Sequence, residues 1–257
     1  VVGWRGWREV RSVTPLAPVR YARFIEAAAG PVRWTGFGMP ANRSALGDLA
    51  AVGTVIVPRT AETNLEGDPE LVRVADINGV SIFRNRAALP RARVVHTTVV
   101  ARTTDDAVAR LASGTQGAAH VSTTPLADSV ILEGVADAPP PRELHGGRAT
   151  PATFIADDPD DVILQVDAPQ EGYLVLADTH YPGWRATVDG HPRAIYPANV
   201  GFRAVHVETG RHQVAFHFRP ASFRAGMACA LLGLLACGAI SIAAALRARR
   251  RPASPTY

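Results

Sequence analysis

The sequence predicts an α+β protein in three parts: a small α/β unit, an antiparallel β-sandwich of jelly-roll or immunoglobulin-like type, and one C-terminal transmembrane helix. Three observations lead to this prediction. Apolar residues follow helical spacing near the start of the chain, strand patterns alternate with Pro-, Gly-, Asn- and Asp-rich turns through the middle, and an uncharged apolar run fills 225–246. The predicted boundaries are 1–90, 91–223, 224–247 and an Arg-rich tail at 248–257.

The first unit combines helix signals with a hairpin signal. Thr14-Pro15 and Pro18 indicate the start of a helix that runs to about Ala29, and Asn42 to Ser44 can cap a second short helix. A strand is predicted at 54–57, followed by a hairpin of 71–77 with 80–84 across Asn78-Gly79.

The middle region predicts one helix, capped by Thr103 or Thr104, among many short strands. The predicted strands are 93–101, 129–136, 152–156, 161–167, 173–177, 184–188, 192–196, 202–207 and 212–218. Asp189-Gly190 predicts one hairpin. A second hairpin, across Thr209-Gly210, would place Val205, Val207, Val214, Phe216 and Phe218 on one core face.

The charge pattern argues against a nucleic-acid partner. All 27 basic residues are Arg, and four of them, Arg247, Arg249, Arg250 and Arg251, follow the apolar run. Without these four the basic residues equal the 23 acidic ones, so the rest of the chain is neutral. The two cysteines, Cys229 and Cys237, lie within the apolar run and provide no disulfide framework.

The apolar run predicts a lipid bilayer as partner. The Arg residues after it outnumber Arg219 and Arg224 before it, which favours a cytoplasmic C-terminus and an extracytoplasmic globular part. Export of that part requires a signal, so we expect transmembrane segments upstream of Val1. Small residues at near-helical spacing, including Gly226, Ala230 and Gly233, would let such a helix approach, although an Ala-rich chain also produces this pattern by chance.

No complete catalytic motif is present, and no cofactor or metal is expected. Asp157 to Asp161 carries charge suited to calcium but lacks EF-hand spacing, which favours a solvated turn. Asp178 and His180 could form an acid–base pair or simply a polar turn. The predicted ligand-binding residues are Asp178, His180, Tyr181, Trp184 and Arg185, because an aromatic ring beside a carboxylate and a guanidinium suits a sugar. The structural alternative is a corner-packing Trp.

Several segments carry a family resemblance. Leu176–Gly190 (LADTHYPGWRATVDG), Ile195–Asn199, Phe202–Val205 and Phe218–Phe223 resemble YfhO-type bacterial membrane proteins, and Pro15-Leu16, Arg20-Tyr21 and Ala88–Ala92 resemble them more loosely. The resemblance implies a bacterial cell-membrane protein of GT-C-like glycosyltransferase type, which moves sugar from a lipid carrier to a cell-envelope polymer. It implies a catalytic acidic residue in an early extracytoplasmic loop, and it assigns no catalytic position in this sequence.

Two functions of different class remain open. The chain could be a non-catalytic extracytoplasmic module with the last membrane helix of such a polytopic protein, binding a glycan acceptor or a lipid-linked sugar, or capping the membrane cavity. Alternatively, it could be a self-contained, membrane-anchored carbohydrate-binding or hydrolytic protein.

Overall fold

The computed structural model describes residues 19–29, 45–60, 65, 67–115, 125–136 and 138–249. The chain is an α+β protein with mostly antiparallel sheets and one C-terminal apolar helix, as predicted. The predicted features at 14–18, 42–44 and 250–257 lie outside the described residues.

The first part contains two helices and a three-stranded antiparallel sheet. The elements are α1 (Val19–Ala29), α2 (Ala45–Leu49), β1 (Thr54–Pro58), β2 (Leu71–Ile77) and β3 (Val80–Asn85), with strand order β1-β3-β2. The predicted β2–β3 hairpin is confirmed, and Asn78 and Gly79 both adopt the left-handed backbone that a type I′ turn requires. Buried Asp48 accepts a hydrogen bond from Asn85 Nδ2 at 2.6 Å, which ties α2 to this sheet.

A seven-stranded and a five-stranded sheet form the centre of the protein. The larger sheet has the order β5-β6-β13-β14-β10-β4-β7 and the smaller one β12-β11-β15-β9-β8. Their strands are β4 (Ala92–Val95), β5 (Thr97–Ala101), β6 (Ser129–Glu133), β7 (Thr150–Pro151), β8 (Thr153–Asp157), β9 (Asp161–Ala168), β10 (Gly172–Leu176), β11 (Trp184–Val188), β12 (His191–Arg193), β13 (Tyr196–Ala198), β14 (Phe202–Val207) and β15 (Gly210–Phe218).

The two sheets pack face to face, and helices cover the outer face of the larger one. Leu174 and Leu176 of β10 face Leu164, Val214 and Phe216 of the smaller sheet in one core. A second core joins the opposite face of the larger sheet to α1, α2 and α3 (Thr104–Thr115). All five β10 residues are therefore buried, as its continuous apolar run predicts.

Two predictions about strand pairing are wrong. Strands 202–207 and 212–218 do not form a hairpin: β14 pairs with β10 and β13, whereas β15 pairs with β9 and β11 in the opposite sheet. The predicted strand 93–101 is interrupted at His96, and β5 pairs in parallel with β6 across α3. The larger sheet thus contains a β-α-β unit within an otherwise antiparallel arrangement.

The last element is α4 (Ala221–Arg249), which follows β15 after Arg219-Pro220. Its segment Ala221–Ala243 is long enough and apolar enough to cross a bilayer, and none of it is buried against the rest of the described chain.

Candidate functional site

The predicted site residues Asp178, His180 and Tyr181 lie in the loop that joins the two sheets of the sandwich, and Trp184 and Arg185 begin the strand that follows it. β10 ends at Leu176 in the larger sheet, and β11 begins at Trp184 in the smaller one. Backbone hydrogen bonds hold the loop at both ends: Ala177 N donates to Arg91 O at 2.8 Å, and His180 N donates to Gly201 O at 2.8 Å. Arg219 N donates to Gly183 O at 2.7 Å, so the loop also contacts the segment that leads into α4.

Gly183 is required where the loop turns into β11. Its φ is +107°, and a Cβ there would lie 2.9 Å from the ring of Phe218 and 3.1 Å from the backbone of Pro220. Only glycine accommodates both the backbone angle and this close approach. The chain therefore passes tightly against the end of β15 just before the membrane helix begins.

Asp178 lies beneath the loop in a buried ion-pair network. Its side chain accepts two hydrogen bonds from Arg91, Nε to Oδ1 at 2.8 Å and Nη2 to Oδ2 at 2.8 Å, and a third from Arg203 Nη2 at 3.1 Å. Asp178 is 6% exposed and Arg203 is 2% exposed. Because both guanidinium groups bind this carboxylate, Asp178 is the shared counterion of two arginines at the end of the sandwich core.

Trp184 rests on Arg203. The guanidinium carbon of Arg203 lies 3.7 Å from the centre of the Trp184 ring and 5.4 Å from that of Phe216. Phe218 packs against the indole with ring centroids 5.4 Å apart. This cation–π stack fixes the orientation of the indole and links it to Asp178 through Arg203.

Arg91 extends the network to the surface. Besides binding Asp178, it donates to both carboxylate oxygens of Asp157, at 2.8 Å and 3.1 Å, and its guanidinium carbon lies 4.6 Å from the Phe154 ring centre. Burial lowers the pKa of Arg91, but the hydrogen bonds to Asp178 and Asp157 outweigh burial and raise it overall. Arg91 therefore joins the buried carboxylate to an exposed one.

His180 is half-buried and held neutral. Burial, together with the positive charges of Arg20 and Arg203, lowers the pKa of His180 to about 4, against a weak opposing effect of Glu133. Its Nδ1 is buried without a hydrogen-bond partner in the described part of the chain. Among those residues no hydrogen bond joins His180 to Asp178, so the structure does not assemble the acid–base pair that the sequence left open.

Tyr181 in the loop and Arg185 in β11 are the exposed residues of the candidate site. Tyr181 is 49% exposed and its ring lies 6.1 Å from that of Phe218. Arg185 projects from the outer face of β11, because the alternate residues Ala186 and Val188 face the core. In the register of the sheet, Arg185 lies opposite His217.

Two shallow cavities share this loop as a common wall. Cavity A has a volume of about 320 Å³ and is lined by His180, Tyr181, Trp184, Arg185, Arg193 and Ile195 together with neighbouring backbone. Cavity B has a volume of about 440 Å³ and is also lined by Arg219 and Pro220, which lead into α4, and by Ala221 and Ser222 in its first turn. Pro182 to Arg185 contributes to both cavities.

The structure thus places four of the five predicted residues around cavity A, and Asp178 below it among arginines. Sequence reasoning missed Arg91, Arg203 and Arg193. Arg91 and Arg203 both stand in segments that carry the family resemblance, and a buried carboxylate needs a basic partner, so these were the available signals. Among the described residues, no group of three or more His, Cys, Asp or Glu side chains could hold a metal.

Comparison with known proteins identifies one family. Residues 149–230 match the family model of the bacterial membrane protein YfhO, which is about a third of the chain. This segment is similar to the corresponding region of YfhO-type bacterial membrane proteins. No curated protein and no solved structure matches the chain.

The YfhO-type region contains the entire five-stranded sheet and the loop that carries the candidate site, and it ends within α4. The family and the apolar helix together support membrane localisation.

Proposed function

We propose that this chain supplies a non-catalytic extracytoplasmic module and the last membrane helix of a polytopic YfhO-type protein, and that the module holds the glycan acceptor of a glycosyltransferase close to the bilayer. The observation that carries the proposal is cavity A. It presents two aromatic and two guanidinium side chains, and it shares Pro182 to Arg185 with cavity B, which reaches the start of the membrane helix.

The lining of cavity A suits a sugar. Tyr181 and Trp184 supply aromatic rings that can stack on a pyranose face, and Arg185 and Arg193 supply donors for hydroxyl or anionic substituents. Its volume of about 320 Å³ lies at the small end of ligand pockets, and its shallow shape suits part of a long polymer rather than an enclosed small molecule.

A catalytic role for the loop is disfavoured by its electrostatics. Asp178 is engaged by Arg91 and Arg203, and His180, with its pKa lowered to about 4, is neutral and only a weak base near neutral pH. A self-contained hydrolase therefore lacks an acid–base pair here. We assign sugar transfer to further membrane segments of the parent protein, which would also pack against α4.

The proposed orientation rests on the flanks of α4. Arg247, Arg249, Arg250 and Arg251 follow the uncharged run 225–246, whereas Arg219 and Arg224 precede it. The larger basic flank favours the cytoplasmic side and leaves the sandwich outside.

The test is glycan binding by the full chain in lipid nanodiscs. An array of bacterial cell-envelope oligosaccharides selects a probe, and its affinity is then measured for wild type and for Tyr181→Ala and Arg193→Gln. Loss of a stacking ring should weaken binding up to about tenfold, and loss of the guanidinium by a similar factor.

Arg211→Gln is the matched control, since Arg211 is exposed at the opposite end of β15. Trp184 is left intact because its replacement would also disturb Arg203. Failure of the wild type to bind any oligosaccharide, or equal affinity of all variants, would overturn the proposal.

A further inference from the structure

Cavity B lies where the sandwich meets the membrane helix. Its walls are Trp184 and Arg185 on one side and Arg219, Ala221 and Ser222 on the other. The apolar span begins at Ala221, so the cavity lies at the level where the bilayer's headgroups begin.

The surface beside cavity B is suited to the membrane interface. Phe223 is 66% exposed, and Met227, one turn further along α4, is 49% exposed. Both belong to the candidate span, whereas Trp184 and the two arginines of cavity B, Arg185 and Arg219, precede it in the chain. Aromatic rings and arginines at this depth are typical of residues that contact headgroups.

The two arginines of cavity B differ in how they are engaged. Arg185 makes no ion pair with any residue that the structure describes, and it is exposed. Arg219 donates to Phe218 O at 3.0 Å, and its Nη2 lies 3.6 Å from Asp161 Oδ1. Asp161 is shared, because His217 Nδ1 also contacts this carboxylate and lowers its pKa.

We propose that cavity B binds the phosphate of a phospholipid headgroup. Arg185 and Arg219 can each present two parallel N–H donors to phosphate oxygens, which is the geometry that guanidinium groups offer to phosphate. The acyl chains would then lie along Phe223 and the exposed side of α4, so the site continues the apolar surface of the candidate membrane span. The site shares Trp184 and Arg185 with cavity A, whereas Arg219 belongs to cavity B alone.

The acidic neighbours of the site set its selectivity. Asp161 competes with phosphate for Arg219, and Asp158 and Asp160 lie on the adjoining β8–β9 turn. These carboxylates would repel additional negative charge, so the site should recognise the phosphate diester itself rather than the overall charge of a highly anionic lipid.

The test is native mass spectrometry of the delipidated full chain, titrated with phosphatidylglycerol. Diacylglycerol, which has the acyl chains without phosphate, and inorganic phosphate serve as the two comparison ligands. The wild type should bind phosphatidylglycerol most tightly, and Arg185→Gln and Arg219→Gln should each weaken it about fivefold.

Three further variants distinguish loss of the site from simple unfolding. Asp161→Asn should tighten phosphatidylglycerol binding, because Arg219 is freed from its competing carboxylate. Arg193→Gln, which lines cavity A alone, and Arg211→Gln should bind the lipid like wild type.

The assignment is overturned if diacylglycerol binds as well as phosphatidylglycerol, or if the control variants lose binding equally. Inorganic phosphate binding without lipid binding would make cavity B a free-anion site. Because Arg219 lines cavity B but not cavity A, its substitution leaves glycan binding intact and separates this inference from the proposed function.

Discussion

Replacement of Asp178 by Asn should lower the free energy of unfolding by about 3 kcal/mol. The substitution keeps the shape of the side chain and removes its charge. Asp178 accepts three hydrogen bonds from two guanidinium groups, and one of them belongs to Arg203, which is 2% exposed. Removal of the carboxylate charge leaves that cation buried opposite an amide.

The magnitude follows from burial rather than from the number of bonds. Breaking a buried pair by removing one partner typically costs about 3–5 kcal/mol, since the remaining charge has lost its counterion. The Asn oxygen can still accept one or two of the three hydrogen bonds, which places the expected cost at the lower end of this range.

Asp157→Asn provides a matched control on the same arginine. Arg91 binds Asp157 through two hydrogen bonds of similar length, but the Asp157 side chain is 37% exposed. Solvent-exposed pairs contribute about 0–1 kcal/mol, so this variant should be nearly neutral. The comparison isolates the effect of burial, because both substitutions remove one carboxylate charge from Arg91.

The assay is thermal unfolding of the full chain in detergent micelles, followed by near-ultraviolet circular dichroism. For a structured region of this size, about 2–4 °C of melting temperature corresponds to 1 kcal/mol, so Asp178→Asn should lower it by about 6–12 °C and Asp157→Asn by less than about 4 °C. Equal shifts in melting temperature, or a larger shift for Asp157→Asn, would refute the assignment of Asp178 as the buried counterion of Arg91 and Arg203.

Two further predictions concern buried basic groups. The pKa of His180 is lowered to about 4 in the folded protein, whereas its unfolded value is about 6.5. Neutral His180 therefore stabilises the fold above about pH 6.5, and this contribution to stability is lost as the pH falls toward 4. Between about pH 8 and about pH 5, the melting temperature of His180→Gln should therefore fall by less than that of the wild type. Arg93 is 1% exposed, its nitrogens have no hydrogen-bond partner in the described part of the chain, and burial lowers its pKa to about 10. Arg93→Met should therefore raise the free energy of unfolding by about 1–4 kcal/mol in urea titration, whereas Arg203→Met should lower it; a destabilised Arg93→Met would show that Arg93 has a counterion.

The pattern of inward-facing residues was predictable, but their partners were not. Val205, Val207, Val214 and Phe216 share one core as predicted, because alternation specifies which side of a strand is apolar. It does not distinguish a neighbouring strand from a strand in the opposite sheet. The residues of the connecting turn indicate which of these two arrangements occurs.

The turns around Asp189 and Thr209 differ in the backbone they adopt. Asp189 and Gly190 both have positive φ, as a type I′ hairpin requires, and β11 and β12 pair there. Between β14 and β15 only Gly210 has a positive φ, and the chain crosses from one sheet to the other. A single glycine after Thr was too weak a signal for a hairpin.

The ion pairs of the site could not be predicted from the sequence, for a related reason. Arg91 and Asp178 are separated by 87 positions, and they meet because β4 and β10 are neighbours in the larger sheet. The sequence predicted a polar loop at 178–183 and a strand from Trp184, and the structure has both. The role of Asp178 depended on strand register, which local patterns do not specify.

The buried network explains how an exposed loop can present binding groups precisely. Asp178 orients Arg203 through a hydrogen bond, and the Trp184 indole stacks on the Arg203 guanidinium. Trp184 and Gly183 both pack against Phe218, which holds the loop in place. Tyr181 and Arg185 therefore project from a backbone that is fixed from below, which reduces the entropy lost on binding. Disruption of the network by Asp178→Asn should then weaken ligand binding in both cavities even below the melting temperature. Substitution of Arg193 or Arg219 should affect only one cavity.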